Sequence, residues 1–287
     1  MPASDRSRSG LVLRGKPSAF DKTGVMSGPG PPDDFHRLMA AALDDALRQS
    51  PEWATYLGDH RFDAQLDDLS EEGLSAKAQL LRSHRDRLAG LDRERLGSED
   101  RVDLALVLGE LDKQVFAIDE LAGFRWDPLV YNIGEALYPL LTRDVLPLPD
   151  RLRAIAARLE LVPQRVDDAR RQLEAPPHMH VETALRRHQG ARAMVGEEVD
   201  RLLDGEPGLR PVVEPAQRRA LEALEGFEGT LRDLLEGPHR SPRIGPDLYA
   251  RLLALELSSS MAPVELLARA EHRIEELDEQ LEEVARQ

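Results

Sequence analysis

Apolar positions recur at alternating three- and four-residue steps along almost the whole chain, the spacing of one buried helix face. From Phe35, the residues Leu38, Met39, Ala42, Leu43, Ala46 and Leu47 keep that spacing, and Asp33–Asp34 precede them as cap residues. A short helix over PEWATYLG follows. Another spans about Ser70 to Ala89 through Leu74, Ala78, Leu81 and Leu88, and a third runs from Ser98 to a glycine stop at Gly123. Leu104, Leu108, Leu111, Val115 and Ile118 form the inward face of the third. The stretch WDPLVYNIGEALYPLLTRD is the most aromatic and the least amphipathic. Asp150 opens a helix bearing Leu152, Ile155, Leu159 and Val162, which Pro163 is expected to kink or divide. Helices near 181–203, 215–236 and 246–257 precede a last one. Strand alternation is confined to the very short GLVLRG and RPVVEP, and no fixed-period repeat occurs. The pattern predicts an all-α fold, an irregular antiparallel multi-helix bundle.

Residues 1–32 depart from this pattern. They are rich in Ser, Gly and Pro, and a flexible N-terminal head is expected there, with a helical domain over 33–287. Aromatic residues make up 4% of the 287, so Leu, Ala, Val and Ile must fill the core, as suits helix-on-helix packing. A net charge of −15 argues against nucleic acid, whose phosphates need a basic surface. Zero Cys excludes disulfides, thiolate metal sites and thiol nucleophiles. No apolar run approaches the roughly 20 residues of a membrane span, and LVL at 11–13 is too short for a signal-peptide core. No membrane partner and a cytoplasmic chain are expected.

Candidate chemistry is sparse. In PPHMHVETALRRH, His178, His180, Glu182 and His188 offer nitrogen and oxygen ligands of the kind that hold zinc. Their spacing is poor, because helical ligands converge at i, i+3 or i, i+4, and Ala184 stands four residues after His180. The competing reading puts His180 near a helix N-cap and Glu182 in the first turn, where the dipole favours it. Glu110, Asp112, Asp119 and Glu120 share one predicted helix and read as a solvated carboxylate face. A di-metal bundle site would need paired E-x-x-H repeats. Glu236 to His239 is the one such spacing, interrupted by Gly237 and Pro238, and Asp33 with His36 gives a single D-x-x-H echo. GPGPP at 28–32 lacks the Lys-Ser/Thr of a phosphate loop, and SSS at 258–260 reads as a cap or link. No catalytic, cofactor-binding or metal-binding residue is assigned in this chain.

The last helix, LLARAEHRIEELDEQLEEVARQ, carries a seam of Leu267, Ala270, Ile274, Leu277, Leu281 and Val284. Glu271, Glu275, Glu276, Glu279, Glu282 and Glu283 form its wet face. No glycine or proline closes it. The helical domain is therefore expected to be incomplete at its C-terminal end.

PEWATYLGDHRFDAQLDDLS, ELDKQVFAIDELAGFRWDPLVYN and LTRDVLPLPDRLRAIAARLELVPQRVDDARRQL resemble the amino-terminal half of the bacterial domain of unknown function 885 family. The matching positions are Pro51, Ala54, Thr55, Gly58, Asp127, Pro128, Tyr131, Arg143, Pro149, Arg151, Arg158, Leu159 and Pro163. PPHMHVETALRRHQGA and IGPDLYARLLALEL fit the same style. The resemblance covers all but the head, and the order of these motifs carries it. It implies zincin-like metallopeptidase relatives whose H-E-x-x-H helix lies in a carboxy-terminal half, where two His bind zinc and the Glu is general base. None of the eight His here is followed by Glu and a second His at i+4. The resemblance thus implies a helical portion that lines a substrate cleft and is inactive alone, with zinc implied only for the missing half. That half, in cis or trans, is the expected partner of the last helix. The alternative is a stand-alone interaction module, a homo-oligomer through residues 264–287.

Overall fold

The structure is a computed structural model that describes residues 31–259 and 261–286. Eleven α-helices stand among them: α1 (Pro31–Gln49), α2 (Pro51–Leu57), α3 (Glu71–Ala89), α4 (Ser98–Phe116), α5 (Gly134–Thr142), α6 (Leu148–Gln172), α7 (His178–Ala193), α8 (Val199–Gly205), α9 (Arg210–Glu236), α10 (Pro246–Glu256) and α11 (Pro263–Ala285). No strand occurs among the described residues. The head expected over 1–32 lies outside them except for Pro31 and Pro32, which open α1; proline is tolerated there because first-turn N–H groups have no helical partner.

Local chemistry explains several boundaries. Ser70 accepts a hydrogen bond from Gly73 N and caps α3. Gly58, at φ 91°, takes the left-handed position that ends α2 and donates to Ala54 and Thr55. RPVVEP is the first turn and a half of α9, not a strand, because Pro211 sits where a helix start needs no donor. Pro163 does not divide α6, which runs through it for 25 residues. Ile155, Leu159, Val162, Val166 and Ala169 are buried on both sides of that proline, and this packing holds the helix together. The helix expected to run from Ser98 to Gly123 loosens after Phe116 into a π-type turn over Ala117–Leu121. Its left-handed residue is Ala122, φ 46°, one position before the glycine.

Two apolar layers result. The larger gathers Leu137, Leu152, Ile155, Leu159, Val181, Val195, Leu203, Leu224 and Leu231 from α5 to α9. Within it α6 and α9 run parallel, since Glu160 pairs with Arg219 and Arg170 Nε reaches Thr230 Oγ1 at 3.1 Å. They approach closely at Gly226, where a Cβ would stand 2.5 Å from the Arg170 guanidinium. α7 runs opposite to α9: His188 Nε2 lies 2.8 Å from Leu224 O while Gln217 Nε2 donates to Val195 O at 2.9 Å. The smaller layer joins α1, α3 and α4 through Phe35, Leu38, Leu81, Leu88, Leu104 and Leu111. Burying one such side chain contributes about 1.5–3 kcal/mol, so both layers are substantial. α10 leans on α4, with Arg251 over the Phe116 ring and paired to Glu120. α11 does not fold back on the bundle. Leu267, Ile274, Leu277, Leu281 and Val284 are 58, 59, 42, 67 and 69% exposed.

Candidate functional site

Arg151, Arg158, Arg165 and Gln172 fall at seven-residue steps on α6, which places them on one face two turns apart. The three arginines are 5, 0 and 5% exposed. Each fastens a different segment. Arg151 Nη1 donates to Arg143 O at 2.7 Å and pairs with Asp144 at 2.8 Å. Arg158 donates to Ala136 O through Nη1, and through Nη2 to Thr55 Oγ1 at 2.6 Å and Pro51 O at 3.3 Å. Arg165 Nη2 meets Glu52 Oε1 at 2.6 Å and Asp67 O at 2.9 Å. Gln172 Nε2 donates to Leu69 O at 2.7 Å. Arginine suits this row because its planar fork can serve several acceptors at once without losing its charge.

The row sits in a charged knot. Thr55 Oγ1 also donates to Asp63 at 2.7 Å, and His60 Nδ1 lies 2.8 Å from the other Asp63 oxygen. Glu52 and Asp67 exchange backbone-to-carboxylate bonds of 3.2 and 3.1 Å. Burial and the neighbouring Glu52 charge push the Asp67 carboxyl up to about 6, against the pull of Lys77 and Arg165. Burial lowers the pKa of Arg158, while Glu52, Asp63 and Asp67 oppose that shift. Every cation of the row is committed to carbonyls or carboxylates, so the row positions α2 and the 58–70 loop and holds no free reacting group. Sequence reasoning missed it. The signal available was the seven-residue arginine step inside an otherwise apolar helix face.

Beside the row opens a cleft of about 480 Å³ lined by Leu121, Ala122, Trp126, Glu174, Ala175, Arg240 and neighbours. Tyr131 donates to Phe124 O at 2.7 Å, and Trp126 Nε1 donates to Leu121 O at 2.8 Å, which fixes the cleft wall. Asp127 caps the turn behind it by accepting from Leu129 N. The segment between α9 and α10 closes the opposite side, with Arg240 N donating to Ala175 O at 3.1 Å. Of the three non-glycine residues at positive φ among the described residues, two, Ala122 and Ala175, lie here.

The histidines and carboxylates considered from sequence do not converge on one place. His178 stands 3.7 Å from Glu182 and stacks edgewise on His239. His180 packs against Trp126, and its Nδ1 lies 3.1 Å from Asp127 Oδ1, out of line for a hydrogen bond. His180 occupies the third position of α7, and Glu182 lies beyond the first turn. His188 points the other way, into the core. Burial lowers its pKa. Glu110, Asp112, Asp119 and Glu120 face outward and pair with Lys113, Arg85, Arg82 and Arg251. His36 lies 3.4 Å from Asp100. His239 faces the Pro176 and Leu235 carbonyls at 2.9 and 3.0 Å, well away from any pairing with Glu236. Among the described residues no group of three or more His, Asp and Glu is placed to hold a metal ion. None of the described helices is long and apolar enough to cross a membrane.

A family model described as "Bacterial protein of unknown function (DUF885)" matches residues 51–287. The chain belongs to the DUF885 family. Of the positions on which the resemblance rests, Pro51, Thr55, Arg143, Arg151 and Arg158 meet in the arginine knot, while Asp127, Pro128 and Tyr131 stand in the turn next to Trp126. A solved structure from Shewanella oneidensis, described as a candidate lipoprotein of unknown function, superposes with a TM-score of 0.70 at 24% identity. The match covers 83% of this chain and 45% of that one, so this DUF885 chain spans under half the length of the solved relative. At that identity the likeness shows the shared fold. No curated protein matches the chain.

Proposed function

We propose that this chain is the helical portion of a zinc metallopeptidase-like hydrolase, forming one wall of its substrate cleft and contributing no catalysis alone. The observation that carries the reading is the bare seam of α11. Five large apolar side chains stay wet on a helix whose opposite face is carboxylate-rich. Such a ridge forgoes about 1.5–3 kcal/mol per side chain, so it favours a partner surface. The shared fold with a relative of which this chain matches only 45% supports a partner of the same family, in cis or trans. Zinc, on this reading, belongs to that partner. The expectation of a cytoplasmic chain gains nothing from the relative described as a candidate lipoprotein.

Translating the DNA that follows codon 287 and its neighbouring frames tests the proposal. The expected result is a helix complementary to the α11 seam, followed by H-E-x-x-H. Flanking frames without that motif would overturn it.

A second reading rests on the narrowness of the same seam. Glu275, Glu276, Glu279, Glu282 and Glu283 leave a thin dry stripe suited to pairing with a second copy of α11. Like charges beside the stripe oppose that pairing, so it tightens as salt screens them.

A further inference from the structure

The cleft beside Trp126 combines features that its own side chains leave unsatisfied. The Arg240 guanidinium lies 5.1 Å from the Trp126 ring centroid and has no carboxylate in ion-pair contact among the described residues. That ring orients the guanidinium while leaving its N–H fork open, which is the arrangement that receives a carboxylate. Glu174, on the same lining, also has no ion-pair partner among the described residues, although Glu120 beside it is neutralised by Arg251. An arginine and a glutamate thus share one cleft without meeting each other. Leu121, Ile244 and Leu248 add apolar surface to the same lining.

The backbone around this space is strained. Ala122 and Ala175 hold φ of 46° and 41°, a region that costs an L-residue on the order of 1 kcal/mol, and both line the cleft. The space of about 480 Å³ is within the range of small-molecule pockets and far below that of a macromolecular groove.

We propose that this cleft binds a small zwitterion with an apolar side chain, the chemistry of an apolar α-amino acid or of a dipeptide with free ends. Its carboxylate sits on Arg240, its ammonium on Glu174, and its side chain on Leu121, Ile244 and Leu248. The proposal is independent of the hydrolase reading, because binding to this chain needs no zinc, no cleavage and no partner.

Trp126 reports on the cleft, and Trp53→Phe removes the other tryptophan. The full chain carrying that substitution would be titrated with leucine, leucyl-leucine, N-acetylleucine and leucinamide while Trp126 emission is followed. A saturable change with leucine or leucyl-leucine is expected, and the tighter of the two identifies the source. N-acetylleucine and leucinamide, each lacking one charge, should bind at least tenfold more weakly. Arg240→Ala and Glu174→Ala should each weaken the better zwitterion at least tenfold, with thermal midpoints unchanged because both side chains are exposed. No saturable signal with either zwitterion would overturn the assignment. So would equal affinity for N-acetylleucine, or binding indifferent to both substitutions.

Discussion

Arg158 and Thr55 lie 103 residues apart in sequence and meet at 2.6 Å in the core. The contact ties α2 to the middle of α6. Arg158 is fully buried and also serves Pro51 O and Ala136 O. Replacing it by Met would remove the guanidinium donor from Ala136 O, Thr55 Oγ1 and Pro51 O, of which Pro51 O alone keeps the Thr55 hydroxyl at 3.0 Å. A loss of about 3 kcal/mol is expected in urea unfolding. Thr55→Val, which keeps the shape and removes one acceptor of Arg158 and one donor to Asp63, should cost less, because Arg158 keeps its two carbonyls. A fully stable Arg158→Met variant would show that the knot is ornamental.

Asp67 gives the fold a pH dependence of unusual sign for a carboxylate. Its folded pKa of about 6 lies above the ordinary 3.8, so the folded chain binds this proton more tightly than the unfolded one. Its contribution is fully present below pH 4 and is lost as pH rises through 6. Relative to Asp67→Asn, wild-type stability should fall by up to ~2 kcal/mol between pH 4 and pH 6.5. Parallel curves for the two proteins would refute the burial argument.

His188 works in the opposite direction. Its ring is buried against Phe227 and the Leu224 carbonyl, and burial lowers its pKa from 6.5. The unfolded chain then takes up this proton first, so its contribution is present above pH 6.5 and is lost on acidification. His188→Gln, whose amide can still donate to Leu224 O, should flatten the decline in stability between pH 7 and pH 5. An unchanged decline would place its origin elsewhere.

The α11 seam separates the two readings of that helix. Leu277→Asp with Leu281→Asp should leave the melting of α1 to α10 unchanged, because neither side chain is buried. If the chain self-associates, sedimentation velocity should show a dimer that strengthens with salt in the wild type and a monomer in the double variant. A wild-type monomer at every salt concentration leaves the seam for a different polypeptide.

The helices were legible in the sequence because their buried residues keep the helical period: Leu74, Ala78, Leu81 and Leu88 all turn inward as expected. The continuity of α6 through Pro163 was not, since it depends on packing from α9, far away in sequence. The left-handed stop at Ala122 was hidden as well, because Gly123 next to it offered the intrinsically cheaper choice. The histidines of PPHMHVETALRRH drew attention by type, yet the helix turns His188 away from His178 and His180. The acceptors of the knot and the members of the cleft come from segments about a hundred residues apart, so the seven-residue arginine step was the one local trace of the knot and the cleft left none.

The central claim is that this chain supplies a binding wall and leaves hydrolysis to other residues. The full chain, incubated with a broad peptide library and zinc and read by mass spectrometry, should give no cleavage above a heat-killed control. Reproducible cleavage abolished by a chelator would contradict the account, because it would require a metal centre that no H-E-x-x-H in this sequence provides.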